Sequence, residues 1–271
     1  MVRHLVPRAS ALGVALVAFA CSTDRFSLDD AGGDAATAPD TSVADAARPD
    51  GGADASLDAS VGCAAPHFFC DDFDDLDAGA FSRWSSVSPS LGTLRLSDAG
   101  LSAPNAASFL TPAHDASFVG PGLAVTLAAA KGLHCEFDVR GDIVSPSAPV
   151  MLVHLTASLP PGAPIASWES YLRHDPGSQF NLFDSIRLSD GGFPQNNNAI
   201  IAGSLTLGQW THVVIELSAG VMNLKVGNGR ATAMSDFPAD NTALRFEIVT
   251  LLYVPPSESA FLFDNVVCDR L

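Results

Sequence analysis

The chain has 271 residues, with 14 basic and 30 acidic side chains and a formal net charge of −16. That balance excludes nucleic acid as a partner, because phosphate recognition needs clustered Lys and Arg, and the only lysines are Lys131 and Lys225. It equally excludes electrostatic attraction to an anionic lipid surface.

Residues 1–20 read as a secretion signal. Arg3, His4 and Arg8 form a basic start, and Ala9 to Ala20 is an apolar run too short to span a bilayer. The run ends Ala18-Phe19-Ala20-Cys21, which resembles the lipobox of bacterial lipoproteins, with Ala18 where Leu is usual. The resemblance implies acylation of Cys21, export, and a lipid anchor as the one membrane partner. Ser22 in place of Asp points to the outer membrane, facing the periplasm or the cell surface. Simple cleavage after Ala20 is the alternative, and would leave Cys21 as an odd thiol in an exported protein.

Residues 21–62 follow as a tether. From 22 to 62 there are nine Asp and two Arg among Ala, Gly, Ser, Thr and Pro. No periodic apolar face is available to bury, so the segment is expected to be disordered. Random-coil scaling gives it a reach of about 35 Å.

At Cys63 the texture changes, and residues 63–271 make one domain of ordinary size. Short alternating runs follow one another: Leu94–Leu96, Leu123–Leu127, Cys135–Arg140, Ser167–Arg173, Phe180–Leu188, Leu244–Val254 and Ala260–Cys268. Val150–Thr156 is apolar on both faces and is expected at the centre of a sheet. The clearest unit is Leu207–Gly229. Gly208-Gln209 turns into Trp210, then Thr211, Val213, Ile215 and Leu217 fall on one side, and His212, Val214 and Glu216 on the other. Ser218-Ala219-Gly220 breaks this strand, Asn223–Val226 resumes, and Gly227-Asn228-Gly229 closes a β-hairpin. No long helical period occurs. Gly, Pro, Asn and Asp punctuate the gaps, as in Asp175-Pro176-Gly177 and Asp190-Gly191-Gly192. The expected fold is all-β, an antiparallel two-sheet sandwich.

Three places match one superfamily in order: Phe69-Cys70-Asp71-Asp72-Phe73-Asp74 with Trp84, then Gly208 to Val214 with its glycine turn, then Phe263-Asp264-Asn265-Val266-Val267. The domain resembles the laminin-G-like jelly roll of the concanavalin A-like lectin and glucanase superfamily. The resemblance implies that the closing strand lies beside the first, that Trp84 and Trp210 are core residues, and that a ligand groove, where present, lies on the concave sheet.

The chemistry is sparse. Glycosidases of that superfamily carry a strand with two Glu as nucleophile and general acid, but after Glu136-Phe137-Asp138 the second positions hold Arg140 and Gly141. Glu136 and Asp138 therefore read as a solvated strand face, and Arg140-Gly141-Asp142 as a turn. Asp72 and Asp264 fall on adjacent strands, either holding a structural calcium or accepting backbone N–H bonds at strand ends. No other cofactor is required. The best ligand-binding candidates are Trp168 and Tyr171, which could stack on sugars, with Arg173 and His154 bonding hydroxyls. Alternation puts Trp168 and Tyr171 on opposite faces, so one of them is core. Two disulfides are expected among Cys63, Cys70, Cys135 and Cys268. Cys63–Cys70 with Cys135–Cys268 is preferred, and Cys63–Cys135 with Cys70–Cys268 stays open. The function expected from these residues is a non-catalytic, lipid-anchored module that binds carbohydrate or a cell-surface protein or glycan. A glycoside hydrolase or lyase on the same fold is the alternative, and a purely structural adhesion module a third.

Overall fold

The computed structural model describes residues 63, 66–74, 79–102, 104–114, 120–176, 179–188, 195–202, 205–252 and 258–271. The signal segment 1–20, Cys21 and the tether to residue 62 lie outside the described residues.

All regular structure among the described residues is strand. Short strands come first: β1 (Phe69–Asp71), β2 (Ser86–Ser88), β3 (Thr93–Ser97), β4 (Ala106–Thr111) and β5 (Gly122–Ala128). The long central strands are β6 (Gly132–Ile143), β7 (Val150–Ser158), β8 (Ile165–Asp175), β9 (Gln179–Leu188) and β10 (Gln195–Ala202). The hairpin supplies β11 (Trp210–Ser218) and β12 (Val221–Val226), followed by β13 (Gly229–Ala233), β14 (Ala243–Leu252) and β15 (Ser259–Arg270). They form two antiparallel sheets. The first runs β13-β12-β11-β6-β15-β4-β3, with β1 also on β15, and the second runs β10-β9-β8-β7-β14-β5-β2.

Alternation along each strand sends one set of side chains between the sheets. From the first sheet come Phe109, Phe137, Phe261 and Phe263, and from the second Trp168, Phe180, Leu155 and Phe246, all almost wholly buried. Strand β7, apolar on both faces, lies at the middle of the second sheet. The first and last strands are neighbours, with Cys70 opposite Val267. The hairpin turns need glycine: Gly220 and Gly227 have φ of 90° and 53°.

Disulfides join Cys63 to Cys70 and Cys135 to Cys268. The second pair sits directly opposite in the β6–β15 register, with Cα atoms 4.1 Å apart and both residues fully buried.

Two expectations need correction. Trp210 is only partly buried; it lies on the outer face of β11 beneath the Arg140 guanidinium, whose carbon is 5.4 Å from the ring centroid. The residues of this strand that enter the core are Val213, Ile215 and Leu217. Asp72, expected on the strand beside that of Asp264, lies one residue past the end of β1, and it is Asp71 that accepts a 2.6 Å bond from the Trp84 indole N–H and one from the Phe73 N–H.

Candidate functional site

The outer face of the second sheet gathers polar side chains from five strands. Because the strands are in register, one residue from each forms a straight row: Glu247 on β14, His154 on β7, Tyr171 on β8, Phe183 on β9 and Asn198 on β10. At ordinary strand spacing this row is about 19 Å long. The next row holds Arg245, Thr156, Glu169, Ser185 and Asn196. Arg173 lies two residues beyond Tyr171 on the same face.

His154 is at the centre of these groups. Its Nε2 is 3.4 Å from a Glu169 oxygen and its Nδ1 is 3.8 Å from a Glu247 oxygen. Burial works against its charge, but the two carboxylates outweigh it and raise the pKa to about 9. The ring is therefore an imidazolium at neutral pH. The bond to His154 in turn holds the Glu169 carboxyl below its usual range, despite some burial. Burial raises the Tyr171 phenol, which keeps its proton.

Tyr171 stacks on Phe183, with ring centroids 4.9 Å apart and planes 20° from parallel. The Arg173 guanidinium sits over the other aromatic partner, 4.5 Å from the Phe183 centroid, and is ion-paired with Asp175, which Asn181 also bonds. The face thus holds a proton-bearing imidazolium, an ionised carboxylate, a neutral phenol, a guanidinium and an aromatic ledge.

Three of the four expected ligand-binding residues, His154, Tyr171 and Arg173, share this surface. Trp168 does not. It is 1% exposed, lies between the sheets, and donates a 2.5 Å bond to the buried Asp184. Glu169, Glu247 and Phe183 were not anticipated. Each is an outward residue of an alternating strand, and strand pairing brings Glu169 and Glu247 to His154 and Phe183 to Tyr171.

Glu136 and Asp138 face outward on the first sheet. Glu136 lies 3.6 Å from the Nε2 of His134 and 3.7 Å from that of His212, while Asp138 bonds His212 Nδ1 at 3.0 Å. That bond, opposed by burial, raises the His212 pKa. Arg140 folds back onto Asp142 in a two-pronged ion pair, so the Arg-Gly-Asp sequence is closed on itself.

Asp264 is fully buried and accepts N–H bonds from Leu101, Ser102 and Asn265 and a hydroxyl bond from Ser102. Donors occupy both of its oxygens, and among the described residues Asp72 accepts the Asp74 N–H at 3.4 Å. This donor set does not fit calcium, which needs six to eight free oxygens. No group of three or more His, Cys, Asp or Glu among the described residues is placed to hold a metal ion.

No family model and no curated protein matches the chain. Solved structures do. A GH16 enzyme from Bacteroides ovatus, in complex with its G4G4G3G product, superposes with a TM-score of 0.54 and 10% identity over 73% of this chain and 98% of its own. The alginate lyase vAL-1 from a Chlorella virus gives 0.53 and 12%, covering 76% and 100%. The kappa-carrageenase of Pseudoalteromonas carrageenovora, bound to an oligotetrasaccharide of kappa-carrageenan, gives 0.52 and 9%, covering 74% and 92%. The fold is thus the concanavalin A-like jelly roll. These findings overturn the expectation of a non-catalytic, non-enzymatic binding module, because the structures it is similar to are enzymes that cleave polysaccharides. The expectation rested on the lack of a second Glu after Glu136 on one strand, β6.

Proposed function

We propose that this chain cleaves a polysaccharide, as a glycoside hydrolase or a lyase, on the outer face of its second sheet. The observation that carries this is the row Glu247–His154–Tyr171–Phe183 with Glu169 from the row beside it, where an imidazolium, two carboxylates and a phenol meet next to an aromatic pair. Hydrolysis needs a proton donor to the leaving oxygen and a carboxylate that acts as base toward water or as nucleophile, and elimination needs a base that removes a ring proton and a donor to the leaving oxygen. His154 carries the proton, and Glu169 and Glu247 are the bases within reach of it. Tyr171, backed by Phe183, offers its phenol and its remaining ring face to a sugar, and Arg173, fixed by Asp175, orients an anionic or hydroxyl-rich unit.

Turnover on mixed-linkage β-glucan, alginate and kappa-carrageenan, followed by release of reducing ends, tests this. An unsaturated product alongside the new ends marks elimination; its absence marks hydrolysis. His154→Ala and Tyr171→Phe should each lower turnover by about 10²–10⁴-fold, and Glu136→Gln should leave it unchanged. Activity lost with Glu136→Gln but retained with His154→Ala would move the site to the first sheet.

We also propose export and lipid anchoring through Cys21, supported by the apolar run and the small residues before it. Cys21→Ala should release the protein into the soluble fraction. Unchanged detergent partitioning would exclude a lipid at that position. A laminin-G-like lineage within the superfamily is proposed on the Gly208–Val214 strand and the closing Asp264–Val267 strand.

A further inference from the structure

The first sheet bears a second polar hollow on its own outer face, away from the row just described. It has a volume of about 230 Å³ and is lined by Val214, Glu216, Asn223, Lys225, Arg230 and Thr232. Two rows make it. Glu216, Asn223 and Thr232 lie opposite one another on β11, β12 and β13, linked by a 3.0 Å bond from the Asn223 amide to Glu216 and a 2.7 Å bond from the Thr232 hydroxyl to Asn223. The adjacent row is Val214, Lys225 and Arg230.

That second row is unusual. Lys225 and Arg230 are cross-strand partners of like charge, an arrangement that repels. Neither is ion-paired among the described residues, although carboxylates outnumber cations two to one in the chain. Lys225 is only half exposed. Two adjacent cations that make no ion pair among the described residues, one of them partly desolvated, favour an oxyanion between them, with Glu216 engaged by Asn223 and His134 at the other side of the hollow. The remaining lining suits hydroxyls: Thr232 and Asn223 have donor or acceptor capacity to spare, and Glu216, already holding Asn223 and His134, has further lone pairs. Val214 supplies an apolar floor.

We propose that this hollow binds one acidic sugar unit, its oxyanion held between Lys225 and Arg230 and its hydroxyls by Thr232, Asn223 and Glu216. The site makes no use of the groups assigned to cleavage and stands whether or not that assignment does. With no aromatic ring in the lining, binding rests on charge and hydrogen bonds, so it weakens as salt is raised.

Glucuronate, glucose 6-sulfate, glucose and inorganic sulfate, each titrated into the isotope-labelled protein and followed by amide chemical shifts, form the test. Saturable shifts confined to β11–β13 are expected with the two acidic sugars and absent with glucose. In Lys225→Gln and in Arg230→Glu the affinity should fall by at least about tenfold, while the shift pattern of the second sheet stays unchanged and so reports an intact fold. Equal response to glucose, affinity for sulfate matching that for the acidic sugars, or unaltered affinity in both variants would each overturn the proposal.

Discussion

His154 and Asp264 show how one environment raises a pKa in a cation and in an acid for opposite reasons. In His154 the gain comes from two carboxylates, so the protonated form is favoured in the folded state. Its contribution to stability is complete below about pH 6.5 and is lost as pH rises through about 9. Glu247→Gln removes one partner, and the imidazole pKa, read from proton NMR titration, should fall toward 6.5. In Asp264 burial dominates over four donated bonds and lifts the carboxyl to about 6, against 3.8 for an unperturbed group. Folded protein therefore binds more protons than unfolded protein between those values. Stability from this group is complete below about pH 4 and is lost as pH rises through 6. Denaturant unfolding from pH 4 to 7 should show that slope, and Asp264→Asn should flatten it. Trp168 is a packing residue: with its ring fully buried against Phe237, Trp168→Ala should cost about 3–5 kcal/mol in the same measurement.

Strands and turns were legible wherever local pattern matched tertiary use. The β11–β12 hairpin is one such case, since glycine at φ 90° and strict alternation speak for themselves. Gly220→Ala meets no neighbouring atom, so its expected cost, about 1 kcal/mol by thermal unfolding, is conformational strain alone. Strand β4, Ala-Ala-Ser-Phe-Leu-Thr, was not legible, because two alanines carry no period and its strand character comes from pairing with β3 and β15. Strand β10 is hidden for a similar reason: Asn196, Asn197 and Asn198 read as a turn, yet eight consecutive pairs with β9 hold them extended. The candidate site was legible in part. The run Ser167–Arg173 identified Tyr171 and Arg173, but Glu247 lies 93 positions from His154 and no spacing rule links them. What joins them is register: Glu247 stands opposite His154 in the regular stretch of β14–β7 pairing that ends at the irregularity between Ile248 and Leu251.

Taken as a molecule, the sandwich is tied together across its longest sequence separations. The Cys135–Cys268 bridge spans 133 residues, and its removal by a double Cys→Ser change should cost about 4–5 kcal/mol in the loop-entropy description, against about 2–3 for Cys63–Cys70. The melting temperatures of the two variants decide the order, and a larger drop for the short bridge would refute it. The two bridges also define a route for mechanical force. Tension arriving at Cys63 passes through sulfur directly to Cys70. Cys70 is paired with Val267, next to Cys268, which is bonded in turn to Cys135 in the middle of the first sheet. A pull on the chain ahead of residue 63 is thus delivered to β1, β15 and β6 along two covalent links and one short ladder. The second sheet, with His154, Tyr171 and Arg173, lies off that line.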